Sequence, residues 1–119
     1  GIIPCFLIPG LGSTEPSVGD ASVVQNDEEY WGSAAELLEP VGCEPKFLHV
    51  AFQRLGWDND DISTALCDTL ADSSGSIDHA VVFTHGIATI ALGRALATNA
   101  CSMHSSTKWI ALSSQWHSN

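Results

Sequence analysis

Four short runs of this 119-residue chain are apolar almost without a break: "IIPCFLI" (Ile2–Ile8), "KFLHVAF" (Lys46–Phe52), "HAVVFT" (His79–Thr84) and "TKWIALS" (Thr107–Ser113). A strand with one face in water alternates apolar and polar residues, so unbroken runs belong to strands covered on both faces. Between them lie helical patterns. "EYWGSAAELLEP" predicts a helix over about Tyr30 to Leu38, closed by Pro40. "DNDDISTALCDTL" predicts a helix capped by Asp60 or Asp61, with Ile62, Ala65, Leu66, Thr69 and Leu70 on its apolar face. A third helix is expected over Gly86 to Thr98. Strands alternating with helices imply a parallel sheet joined by right-handed crossovers. The expectation is one α/β domain over residues 1–119. It has three layers, with a mostly parallel sheet of about four strands and helices on both faces. The polar stretch 13–29 reads as a long loop.

Charge and cysteine usage narrow the partners. Fourteen Asp and Glu stand against four Lys and Arg, a formal net charge of −10. Such a surface repels phosphate backbones and anionic membranes, so nucleic acid is not an expected partner. No run approaches the roughly 20 apolar residues of a membrane span, so direct insertion is not expected either. The opening "GIIPCFLIP" lacks a basic flank and reads as a strand. Cys5, Cys43, Cys67 and Cys101 are widely spaced with no CxxC pair, which is not zinc-ligand spacing. They can pair in three ways as two disulfides or remain buried thiols. The reading leans toward a secreted or lumenal setting over the cytoplasm.

In a parallel sheet, ligands sit at the carboxyl ends of the strands, near the point where strand order reverses. Two candidate stretches occupy such ends. "IPGLGST" lacks the lysine of a phosphate loop, and Glu15 stands where a dinucleotide fingerprint has its third glycine. It reads as a Gly-rich turn or as an oxyanion loop, with the Leu11 N–H aimed at a carbonyl. "FTHGIAT" has the form of a nucleophile elbow, G-x-S-x-G. Small residues, Thr84 and Ala88, stand two before and two after the tip, and His85 precedes it. The tip itself is Gly86. A plain strand-to-helix turn needs nothing more than that. The five histidines share no ligand spacing, and "WDNDD" lacks the glycine and closing Glu of a calcium loop. No cofactor or metal is expected.

These stretches resemble the α/β-hydrolase fold of serine esterases and lipases. "CFLIPGLGST" is similar to its third strand and oxyanion loop, with Pro9-Gly10 where many members carry His-Gly. "AVVFTHGIATIALGRAL" is similar to the elbow "VVTHSMG" and its helix. "CSMHSSTKWIALSSQWHSN" looks like the next strand in secreted, cysteine-containing hydrolase-like proteins. The resemblance implies a partial, N-terminal-half hydrolase core. Gly86 takes the serine position, and Ile87 and Leu11 supply the oxyanion N–H groups. The acid and histidine of the triad would follow later strands, and the sequence ends at Asn119.

Nucleophilic catalysis needs an activated oxygen within reach of a base, and glycine offers none. The favoured expectation is therefore a non-catalytic, hydrolase-like pseudoenzyme. It would act as a structural or binding subunit, held to a protein partner or oligomer through the strand near Lys108 to Leu112. The alternative is a fragment or inactivated variant of a serine esterase. A third reading, a ligand binder holding an anionic cofactor beside Gly10 and Gly12, conflicts with the acidity.

Overall fold

The computed structural model describes residues 3–10, 21–24, 42–52 and 56–112. In chain order the elements are β1 (Ile3–Ile8), β2 (Ala21–Val24), β3 (Cys43–Val50), α1 (Asp60–Leu70), β4 (Ser76–Ile77), β5 (Val81–His85), α2 (Ile87–Ala97), β6 (Ser102–Met103) and β7 (Lys108–Leu112). The main sheet runs β2-β3-β1-β5-β7. β3, β1, β5 and β7 are mutually parallel, and β2 joins the outer side of β3 antiparallel. The α/β class and the mostly parallel sheet expected from the apolar runs are what the chain forms.

Several details differ from the sequence expectation. Residues 13–29 are not all loop, because Ala21–Val24 pair with Phe47–Val50. Val23 and Val24 are β-branched and suit an edge strand, but the surrounding Ser, Gly and Asp hide a run this short. The second apolar strand begins at Cys43 rather than Lys46. Pro45 lies opposite Cys5 of β1, before the antiparallel pairing with β2 starts at Phe47, so it removes no bond from that second ladder. Asn59, not Asp60 or Asp61, caps α1: its side chain accepts the Asp61 N–H at 2.8 Å. The two aspartates follow in the first turn, where their charge suits the helix dipole.

The core lies in two layers. On one face of the sheet Phe6, Ile8, Leu48, Val50 and Val82 meet Ile62, Leu66 and Leu70 of α1 and Ala88, Ala91, Leu92 and Ala95 of α2. Both described helices therefore cover the same face. The opposite face gathers Cys5, Leu7, Cys43, Phe47 and Val81, with Phe83 and Leu112 packed against them. The helix expected over Tyr30 to Leu38 lies outside the described residues. Of the residues placed on the apolar face of α1, Ala65 and Thr69 are only half-buried, while Ser63 and Cys67 are buried.

Of the three possible cysteine pairings, the structure takes one. Cys5–Cys43 ties β1 to β3, and Cys67–Cys101 ties α1 to the segment entering β6. They close 38 and 34 residues of chain. Each is worth about 4 kcal/mol if loop entropy alone decides. A second, two-stranded sheet pairs β4 with β6 in parallel, where the sequence shows only a helix-breaking Ser-rich turn.

Candidate functional site

The parallel strands leave β1 in opposite directions, first to β3 and then to β5. The reversal of strand order thus falls between β1 and β5, and their carboxyl ends carry the two Gly-rich turns. This is where such a sheet opens a crevice. The two turns touch. A methyl group added at Gly10 would stand 2.5 Å from the His85 carbonyl oxygen and 3.3 Å from the Ile87 nitrogen. No residue but glycine fits between these backbones.

Gly86 is the hinge from strand to helix. It caps α2 with φ 61° and ψ −127°, a conformation that strains any residue with a Cβ. Space is not the obstacle, since a Cβ at Gly86 would meet only the Gly10 Cα, at 3.8 Å. Gly86 is exposed, so the tip of the turn faces solvent. The Gly86 carbonyl accepts the Thr89 N–H at 3.0 Å and opens the first turn of α2. Ile87, half-buried, places its N–H beside the Gly10 turn. Leu11 lies outside the described residues.

The flanks of the turn are fixed from below by a buried polar chain. Thr84 is fully buried, and Ala88 likewise. The Trp109 indole N–H donates to the Thr84 hydroxyl at 2.9 Å, and Thr84 and Thr89 share a hydrogen bond at 2.8 Å. Trp109 occupies one lone pair of Thr84, which leaves its proton and its other lone pair to meet the Thr89 hydroxyl. This chain ties β5, α2 and β7 together directly beneath the turn. Thr89 and Trp109 carry no motif in the sequence. Their spacing of 20 residues acquires meaning only once β5 and β7 pair side by side. His85 is buried in the last position of β5.

A second polar cluster sits at the opposite end of β5 and β7. The Ser106 hydroxyl donates to Asp78 at 2.5 Å, and the His79 N–H donates to Ser106 at 3.0 Å. Nδ1 of His79 lies 2.8 Å and Nδ1 of His104 3.3 Å from the same Asp78 oxygen. The Ser106 hydrogen bond holds the Asp78 carboxyl below its ordinary value, with the two imidazoles acting in the same direction. The backbone N–H of Ser106 donates to His104 Nδ1 at 3.0 Å, so that nitrogen is an acceptor when the ring is neutral. The cluster is an exposed clasp between two loops. Among the described residues no three His, Cys, Asp or Glu are arranged to hold a metal ion.

Chemically, these strand ends offer backbone N–H groups at a helix start and a close glycine-to-backbone seam. At Gly86 they offer no nucleophile. No family model, curated protein or solved structure matches the chain.

Proposed function

We propose that this chain is a non-catalytic α/β-hydrolase-like unit that acts as a structural or binding subunit. The observation that carries the reading is the Gly86 turn. It has the sharp, positive-φ strand-to-helix geometry in which hydrolases present a serine. It stands against the Gly10 turn at the reversal of strand order, but holds no side chain at its tip. The adjacency of β1 and β5 supports the same reading, because an oxyanion loop after one strand must face the elbow after the other. Partner binding is assigned to β7, the last strand in the sheet order, where Ile110 is 40% exposed. The two disulfides suit an oxidising, secreted or lumenal setting.

The alternative, an inactivated serine esterase, shares this geometry and differs in what a serine would restore. The test is hydrolysis of a short-chain p-nitrophenyl ester by the native protein and by Gly86→Ser. On the favoured reading both match the buffer blank. Turnover by the native protein overturns it. Turnover gained only by Gly86→Ser moves the conclusion to the inactivated esterase.

A further inference from the structure

We draw no further inference here: the strongest candidate, the exposed cluster of Asp78, His79, His104 and Ser106 in the loops leading into β5 and β7, carries nothing, because its hydrogen bonds run within the clasp already described and no three His, Cys, Asp or Glu among the described residues are arranged to hold a metal ion.

Discussion

Replacing Gly10 with alanine tests the contact on which the candidate site depends. The added methyl would lie 2.5 Å from the His85 carbonyl oxygen and 3.2 Å from its carbon. Carbon and oxygen in close contact keep about 3.3 Å or more, so one backbone must retreat by most of an ångström. Neither is free to do so. Ile8 and Thr84 are register partners in the parallel pairing of β1 with β5, two and one residues away from the clash. Both are fully buried. Overpacking of this kind costs about 1–3 kcal/mol, which lowers the melting temperature of a domain this size by roughly 5–15 °C. Gly93→Ala serves as the internal comparison. Its Cβ meets only the Trp109 ring edge, at 3.8 Å, and alanine in a helix interior is favoured over glycine by about 0.5–1 kcal/mol. Thermal unfolding followed by circular dichroism should move the two variants in opposite directions. If Gly10→Ala melts with the native protein, the two turns do not close on each other and the site as described is wrong.

Thr84→Val keeps the shape but leaves the Trp109 indole N–H without its acceptor; a loss of about 1–3 kcal/mol is expected in urea unfolding, and an unchanged midpoint would show that the chain beneath the turn carries no weight. Replacing Cys67 and Cys101 together by serine should cost about 2–4 kcal/mol, read by the same titration; a variant as stable as the native protein would refute the pairing. The Asp78 carboxyl is depressed by its Ser106 hydrogen bond, so its stabilisation is present above the ordinary carboxylate range and is lost as pH falls through the lowered value. Ser106→Ala should therefore be less stable than the native protein near neutrality, with the gap narrowing in strong acid; a gap independent of pH would argue that the hydroxyl bond does not set the carboxyl.

The class of fold was legible in the linear chain. Unbroken apolar runs at Ile3–Ile8 and Val81–Thr84 can be satisfied only when both faces of a strand are covered, and that local signal survives whatever surrounds it. The helices after Asn59 and Gly86 were equally legible, because a 3.6-residue apolar period and a glycine hinge are properties of contiguous chain. Small residues flanking Gly86 marked the turn as well. Contacts between segments distant in sequence were not legible there. Four cysteines permit three pairings, and only the placement of β1 beside β3, and of α1 beside the segment entering β6, selects one. Val23 and Val24 become a strand because β3 offers them an edge, not because four residues specify one. The need for glycine at position 10 arises from a carbonyl 75 residues away, and the Trp109–Thr84–Thr89 chain exists only once β5 and β7 are neighbours. Periodicity encodes which face of an element is buried. What that face meets is decided by packing, and the candidate site is made of such meetings.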